Sequence, residues 1–335
     1  MRIGHVDLLK RRMLVAELGN NHEGDPALAL ELADAAVEAG ADAIKVQIID
    51  PARLVNISQA ERLAQLARFR LDPEVVQEIA RRARSRGRLF MASVFDCETL
   101  LRVYPELDAI KIASGDLDFD PMLELAAGTG KPIILSTGMS TMAEIRRALA
   151  IVAENLPAGA ALSERLVALH CVSLYPTPLD AANLAAIPAM AAELGVTIGY
   201  SDHTVGIEAA LIALSLGARV VEKHFTLDRT RAFRDHALSS DPAEFSSLAR
   251  TMASFDTILG TGDRDDLPDN ATRGFARRSI VASRALDRGD VLEATDIDYV
   301  RPADGMAPSE AKRLIGHRLR KGLAVHQTIQ RDDVE

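Results

Sequence analysis

Eight short apolar runs, rich in Val and Ile, alternate with helix-period segments through most of the chain. The runs cover residues 14–18, 43–47, 89–94, 109–113, 133–136, 166–172, 197–200 and 219–225. They are apolar throughout, without strict alternation of polar and apolar residues, which is typical of parallel strands covered on both faces. This repetition limits the fold more than any other feature of the sequence.

The segments between the runs carry start and stop signals for helices. One of them begins with Pro26 directly after Asp25 and ends at Gly40, as expected for a helix with Pro in its first turn. The same glycine punctuation recurs before later runs, at Gly87, Gly130, Gly195 and Gly217. Such units predict a (β/α)8 TIM barrel. An open doubly wound α/β sheet is the alternative, but its G-x-G-x-x-G turn is missing after the first run.

The composition changes after the last barrel unit. Residues 262–276 are rich in Gly, Asp, Pro and Asn, which predicts a linker between a barrel over residues 1–261 and a second domain. Residues 277–335 contain two short β-like runs separated by turn-rich stretches. A domain of about 60 residues without disulfides is expected to need packing on the barrel or on a partner subunit.

Charge and hydropathy exclude several classes of protein. The chain has 39 Lys and Arg against 48 Asp and Glu, a net charge of −9, which argues against nucleic-acid binding. The N-terminus has no apolar stretch of signal-peptide length, and no segment reaches the length of a membrane span, so we expect a cytoplasmic protein. Two cysteines, Cys97 and Cys171, are too few for a disulfide framework.

Polar side chains cluster where the predicted strands end, and in a barrel these ends form the active site. They are Glu17, Lys45, Gln47, Phe95, Lys111, Ser114, Asp116, Ser136, Thr137, Ser173, Tyr175, Ser201, His203, Glu222 and His224. Because lysines are costly to bury without a counter-charge, the two lysines predict an anion site, to which the serine hydroxyls would donate hydrogen bonds. The alternatives are a structural salt bridge to Glu17 or Glu222 and, for Ser136, simple turn chemistry.

The two histidines predict a metal site. His203 and His224 follow consecutive apolar runs, so parallel pairing would bring the imidazoles to one edge of the sheet. Imidazole is a favoured ligand of Mn, Fe, Co and Zn, and a pair leaves positions open for water or substrate. Alternatively each histidine is a hydrogen-bonded structural residue. Glu222, on the same strand face as His224, would orient it or pair with a lysine, and Glu17 is placed for acid–base chemistry.

Seven motifs at these strand ends share a resemblance. They are Glu17-Leu-Gly-Asn-Asn-His-Glu-Gly, Lys45-Val-Gln47, Lys111-Ile-Ala-Ser114-Gly-Asp116, Ser136-Thr-Gly-Met, His170-Cys-Val-Ser-Leu-Tyr175-Pro-Thr-Pro, Ser201-Asp-His203-Thr and Glu222-Lys-His224-Phe. In this order they resemble the N-acetylneuraminate (sialic acid) synthase family over nearly the whole chain. Residues 277–335 resemble the small, mostly β SAF (antifreeze-like, β-clip) domain that ends these enzymes.

The resemblance implies an activity. Members condense phosphoenolpyruvate with an N-acetylmannosamine-type sugar to give a nine-carbon 2-keto sugar acid and phosphate. They use a divalent metal, typically Mn²⁺, with Mg²⁺ or Co²⁺ as alternatives. They are homodimers in which the SAF domain of one subunit caps the barrel of the other.

The resemblance also implies a role for each matching residue. The metal ligands would be His203 and His224, and the catalytic carboxylates Glu17 and Asp116. The phosphoenolpyruvate-binding residues would be Lys45, Lys111, Ser114, Ser136, Ser173 and Ser201. The sugar-binding residues would be Gln47, Phe95, Tyr175, Asp235 and, acting on the partner's barrel, Arg301.

Some positions depart from the family pattern. Asp116 stands where the family often has Glu, Ser173 where Asn is common, and only Asn56, at an unaligned position, offers a sugar-binding Asn after the second strand. The sugar is therefore left open: a legionaminic or pseudaminic acid synthase would use a 2,4-diacetamido-2,4,6-trideoxyhexose instead. Further alternatives are a Kdo-8-phosphate or DAHP-type synthase and a non-catalytic carbohydrate-binding protein.

Overall fold

The computed structural model describes residues 1–265 and 267–335, in two compact units, Met1–Ile258 and Leu259–Glu335. The predicted linker, residues 262–276, includes Asp266, which lies outside the described residues. Its described part contains a 3₁₀ turn at Pro268–Thr272 and a short helix at Arg273–Ala276. The two units are described separately below.

The first unit begins with an antiparallel hairpin of two short strands, β1 (Arg2–Ile3) and β2 (Val6–Asp7). Eight parallel strands then close into a barrel: β3 (Met13–Gly19), β4 (Ala43–Ile48), β5 (Leu89–Val94), β6 (Ala109–Ile112), β7 (Ile133–Ser136), β8 (Leu166–Cys171), β9 (Thr197–Asp202) and β10 (Val220–His224). Each strand pairs with the next in the chain, and β10 pairs with β3. The predicted TIM barrel is confirmed.

Helices cover the outside of the barrel. They are α1 (Pro26–Glu38), α2 (Pro51–Leu54), α3 (Ala60–Phe69), α4 (Pro73–Ser85), α5 (Cys97–Val103), α6 (Asp120–Gly128), α7 (Met142–Asn155), α8 (Leu162–Arg165), α9 (Ala186–Leu194), α10 (Glu208–Ser215), α11 (Arg234–Leu238) and α12 (Pro242–Leu259). Helix α1 begins as predicted: the Asp25 side chain accepts hydrogen bonds from the first-turn amides of Ala27 and Leu28. Helix α9 ends at Gly195, whose φ of +65° favours glycine,.

Alternation along the strands separates two apolar cores from the polar end of the barrel. In β10, Val220 belongs to the core inside the barrel, whereas Val221 belongs to the core between strands and helices. Glu222 and His224, on the same face as Val220, line a cleft at the carboxyl end of the strands,. The inward face is therefore apolar at the amino end and polar where the strands finish.

The second unit has its own small core. Strand β11 (Ser279–Ala282) pairs antiparallel with β12 (Ile297–Val300), close to the two β-like runs in the sequence. The core residues are Ile280, Ala282, Leu286, Leu292, Met306, Leu314, Leu319, Leu323 and Ile329. The unit also contains α13 (Arg273–Ala276). No helix among the described residues of either unit is long and apolar enough to cross a membrane.

Candidate active site

A polar cleft of about 320 Å³ opens at the carboxyl end of the barrel strands. It is lined by Glu17, Lys45, Gln47, Ser93, Phe95, Lys111, Ala113, Ser114, Gly115, Ser136, Met139, Cys171, Ser173, Tyr175, Ser201, His203, Glu222, His224 and Arg234. Every site residue predicted in the barrel is among them except Asn56, Asp116, Thr137 and Asp235. The expectation that residues at the carboxyl ends of the strands form the active site therefore identified most of the cleft wall. It did so because parallel strands end at the same edge of the barrel.

Lys45 is held between two buried carboxylates. Its Nζ lies 2.7 Å from Oε2 of Glu17 and 3.4 Å from Oε1 of Glu222, and it donates to Ser93 Oγ at 3.2 Å. Burial acts to lower the pKa of Lys45, but the two carboxylates outweigh it and raise that pKa,. Lys45 therefore forms the structural salt bridge to Glu17 and Glu222 that the sequence offered as the alternative to an anion site.

Lys111 has a different environment although it is equally buried, at 3% exposure. Its Nζ donates to Ser136 Oγ at 2.7 Å and to the Ile112 carbonyl at 3.0 Å. Among the described residues, no carboxylate lies within ion-pair distance of this ammonium group. Burial lowers the pKa of Lys111. A buried ammonium group bonded only to neutral oxygens is suited to receive an anion.

A close approach of three chain segments brings two hydroxyl groups together in the cleft that Lys111 also lines. The Gly138 amide donates to Ser114 Oγ at 3.0 Å. A Cβ atom at Gly138 would lie 2.3 Å from Ser173 Oγ and 2.9 Å from Ser114 Oγ. Only glycine therefore allows the two serine hydroxyls to approach residue 138 this closely. The expectation of simple turn chemistry did not predict this requirement.

The two histidines lie side by side in the cleft, with ring centroids 5.4 Å apart. His203 Nδ1 lies 2.9 Å from the Val172 carbonyl. Since a carbonyl only accepts, Nδ1 carries a proton, and in the neutral ring Nε2 then keeps the lone pair that a metal requires. His224 Nδ1 is buried and has no hydrogen-bond partner among the described residues. Burial, followed by the charge of His203, lowers the pKa of His224 well below its usual value.

This pair fits a divalent transition metal, because neutral imidazoles are its preferred nitrogen ligands. An orphaned, buried ring nitrogen is otherwise costly, and a metal would satisfy it. In the part of the chain that the structure describes, no group of three or more His, Cys, Asp or Glu side chains is arranged to hold a metal. Two protein ligands would leave the remaining positions to water or substrate.

An aromatic ring covers the histidines. The Tyr175 ring lies 4.2 Å from that of His203 and 6.0 Å from that of His224, between centroids. The guanidinium group of Arg234 lies 5.1 Å from the Tyr175 centroid, in a cation–π arrangement,. Arg234 was not predicted from the sequence, since it follows an irregular loop after β10 where no periodic pattern selects it.

Five predicted residues are not part of the cleft wall. Thr137 is buried, and its hydroxyl donates to the Leu169 carbonyl at 2.9 Å. Asp116 ends the 3₁₀ turn Ser114–Asp116, whose first two residues do line the cleft, and burial raises its pKa to about 6. Asp235 is buried and accepts a hydrogen bond from the neighbouring Arg234 at 3.3 Å. Asn56 is exposed and closes a local turn by accepting from the Ser58 amide. Arg301 belongs to the second unit, directly after β12, so its action on a partner's barrel stays a prediction.

Comparison with known families and proteins agrees with the predicted family. Residues 32–264 match the NeuB family, and residues 277–335 match the SAF domain. These two matches cover most of the chain, and the second confirms the C-terminal domain expected from the sequence.

Similar proteins carry related names. N,N'-diacetyllegionaminic acid synthase of Legionella pneumophila is 36% identical over 340 residues, covering 96% of this chain and 94% of that protein. Pseudaminic acid synthase of Campylobacter jejuni is 33% identical over 351 residues, covering 99% of both chains. The crystal structure of N-acetylneuraminic acid (sialic acid) synthetase from Leptospira borgpetersenii superposes with a TM-score of 0.74 at 31% identity, covering 81% of this chain and 94% of that one. The chain therefore belongs to the NeuB family and ends in a SAF domain.

Proposed function

We propose that this chain is a cytoplasmic nonulosonate synthase that condenses phosphoenolpyruvate with an acetamido sugar and releases phosphate. The names of its relatives support the class of product, since they are synthases of legionaminic, pseudaminic and sialic acids. The observation that carries the proposal is the cleft itself, which combines two adjacent imidazoles with a buried lysine that has no carboxylate partner among the described residues.

Phosphoenolpyruvate would bind at Lys111. Its ammonium group donates to Ser136, and the hydroxyls of Ser114 and Ser173 lie close together beside Gly138. Ser201, which donates to Glu222 at 3.3 Å, would complete this set. Charge-assisted hydrogen bonds to phosphate or carboxylate oxygens are stronger than those between neutral groups, which favours an anion here. Lys45 would contribute mainly by holding Glu17 in place.

His203 and His224 would hold a divalent metal, for which Mn²⁺ is our first choice and Mg²⁺ or Co²⁺ are alternatives. When bound, the metal supplies Lewis-acid polarisation of the sugar aldehyde. Carbon 3 of phosphoenolpyruvate then attacks the aldehyde carbon, and water adds at carbon 2 with help from Glu17 or Asp116 as base. Collapse of that adduct breaks the carbon–oxygen bond to phosphate, which leaves as inorganic phosphate.

The sugar would lie against Gln47, Phe95 and Tyr175, with Asp235 beside Arg234. We propose N-acetylmannosamine as the sugar, with 2,4-diacetamido-2,4,6-trideoxyhexoses as the alternative supported by the legionaminic and pseudaminic acid synthases among the relatives. The active form would be a homodimer in which the SAF domain of each subunit brings Arg301 to the other barrel.

Phosphate release tests this function directly. The purified chain, stripped of metal with chelator and resupplied with Mn²⁺, is incubated with phosphoenolpyruvate and each candidate sugar in turn. We expect release with one acetamido sugar, none without metal, and none with His203→Ala. Release with arabinose 5-phosphate alone would assign a Kdo-8-phosphate type of synthase. No release together with no divalent-metal binding would favour a non-catalytic carbohydrate-binding protein.

A further inference from the structure

A fully buried ion pair lies behind the two histidines, on the opposite face of their strands. Lys223 Nζ donates to Asp202 Oδ2 at 2.9 Å, and both side chains are 0% exposed. The two residues face each other directly across the β9–β10 ladder. They therefore link the ends of the strands that carry the candidate metal ligands.

Thr204 completes this network. Lys223 Nζ also donates to the Thr204 carbonyl at 2.5 Å, while Asp202 Oδ1 accepts from the Thr204 amide and hydroxyl, both at 2.8 Å. Thr204 is 0% exposed as well. The network fixes the backbone on both sides of His203, although His203 itself lies just beyond the last residue of β9.

The three residues of the network alternate in the sequence with the residues that face the cleft. Asp202 and Thr204 flank His203, and Lys223 lies between Glu222 and His224. Because successive residues of a strand face opposite sides, the histidines face the cleft while the network lies in the layer between barrel and helices. A displacement of either strand end would therefore move an imidazole.

Fold stability alone is a weak explanation for the network. Apolar residues of similar volume often replace a buried ion pair with no loss of stability. By contrast, groups that orient metal-binding side chains from behind commonly govern metal affinity. The hydrogen bonds of Asp202, Thr204 and Lys223 are directional, so they fix the distance between the ends of β9 and β10. Apolar contacts would define that distance less precisely.

We propose that Asp202, Thr204 and Lys223 are positioning residues that hold His203 and His224 at the spacing required to share one divalent cation. This inference rests on the metal site of the proposed function and adds the residues that set its geometry. None of the three is among the residues that line the cleft.

Calorimetric titration of the full-length protein with Mn²⁺ alone tests the proposal. The variants are Lys223→Met, the double substitution Asp202→Leu with Lys223→Met, and Thr204→Val, which keeps both charges. We expect the dissociation constant for Mn²⁺ to rise about tenfold or more in the first two and about threefold in the third. Arg12→Met is the matched control, because it breaks the Arg12–Asp256 ion pair before β3, at the other end of the barrel.

The outcomes separate the two proposals. Weaker Mn²⁺ binding in the network variants, with unchanged binding in Arg12→Met at a comparable loss of thermal stability, supports positioning. Unchanged Mn²⁺ binding in Thr204→Val and in a folded Lys223→Met or double variant overturns it, as does an equal loss of affinity in Arg12→Met. If the wild-type protein binds no Mn²⁺, the proposed metal site itself is wrong.

Discussion

The ammonium group of Lys45 and a carboxylate oxygen of Glu17 lie 2.7 Å apart on neighbouring strands, β4 and β3, where the two residues are direct ladder partners. Lys111, with equal burial, has no such partner in the part of the chain that the structure describes. The two lysines should therefore respond in opposite ways to the same substitution.

Lys45→Met should destabilise the protein, whereas Lys111→Met should leave its stability unchanged or increase it. Removing Lys45 leaves Glu17 and Glu222 buried without a counter-charge, and breaking such a pair costs about 3–5 kcal/mol. Removing Lys111 deletes a buried charge that no carboxylate among the described residues compensates. Chemical denaturation of both variants in the absence of substrate measures the difference.

The same two variants separate binding from catalysis. Lys111→Met should raise the KM for phosphoenolpyruvate by about 30-fold or more, since losing one charged hydrogen-bond partner costs about 2 kcal/mol or more. Lys45→Met should act mainly on kcat through the displaced Glu17. Equal destabilisation by both substitutions, or an unchanged KM in Lys111→Met, would contradict this division of roles.

Gly138→Ala should weaken phosphoenolpyruvate binding without unfolding the protein. The added Cβ would lie within 3 Å of both Ser173 Oγ and Ser114 Oγ, so one hydroxyl must move. We expect the KM for phosphoenolpyruvate to rise roughly tenfold, which corresponds to about 1.4 kcal/mol. Gly128→Ala, at the end of α6 where the new Cβ meets nothing within 4 Å, is the matched control and should keep the wild-type KM.

Local sequence patterns predicted the barrel because each strand is a short apolar run and each run needs a helix to return the chain. Because the carboxyl ends of the strands meet at one edge of a barrel, the sequence also placed Lys45, Lys111, His203 and His224 on the same edge. Which lysine takes the counter-charges was not predictable, because it depends on how Glu17 and Glu222 converge on Lys45 across three strands. The hairpin β1–β2 was not predicted, because strands of two residues are too short to show a hydrophobic periodicity in the sequence.

Side chains on the short elements after the strands were the least predictable. Arg234, the first residue of α11, reaches the cleft through the path of the loop after β10, and Asp116 ends a 3₁₀ turn whose first two residues line the cleft. Neither position carries a periodic signal in the sequence. The network of Asp202, Thr204 and Lys223 was also hidden, since its residues lie between the motif positions that drew attention.

Arg234→Met should raise the KM for the sugar by about two- to fivefold and leave the KM for phosphoenolpyruvate unchanged. Its guanidinium group lies over Tyr175, and an exposed cation–π contact contributes about 0.5–1 kcal/mol. Arg68→Met is the matched control, because Arg68 lies at the same 5.1 Å from the ring of Phe69 but does not line the cleft. Identical sugar kinetics in the two variants would remove Arg234 from substrate binding.

Asp116 predicts an acid limb in the pH–rate profile. Burial raises its pKa to about 6, so as a general base it is active above that pH and loses its function as the pH falls through 6. We expect kcat/KM to fall about tenfold per pH unit below this value, a limb that Asp116→Glu keeps and Asp116→Asn lacks.

Stability gives an independent measure of the same pKa. A carboxyl group whose pKa is higher in the folded than in the unfolded protein favours folding at low pH, and this contribution is lost as the pH rises through about 6,. Asp116→Asn should therefore stabilise the protein at pH 7 by roughly 1–2 kcal/mol, allowing for partial exposure to solvent, and have little effect at pH 4. Asp118→Asn removes an exposed neighbour whose charge also raises the pKa of Asp116, so it should keep the acid limb and move it to lower pH. An acid limb that persists in Asp116→Asn would move the role of general base to Glu17.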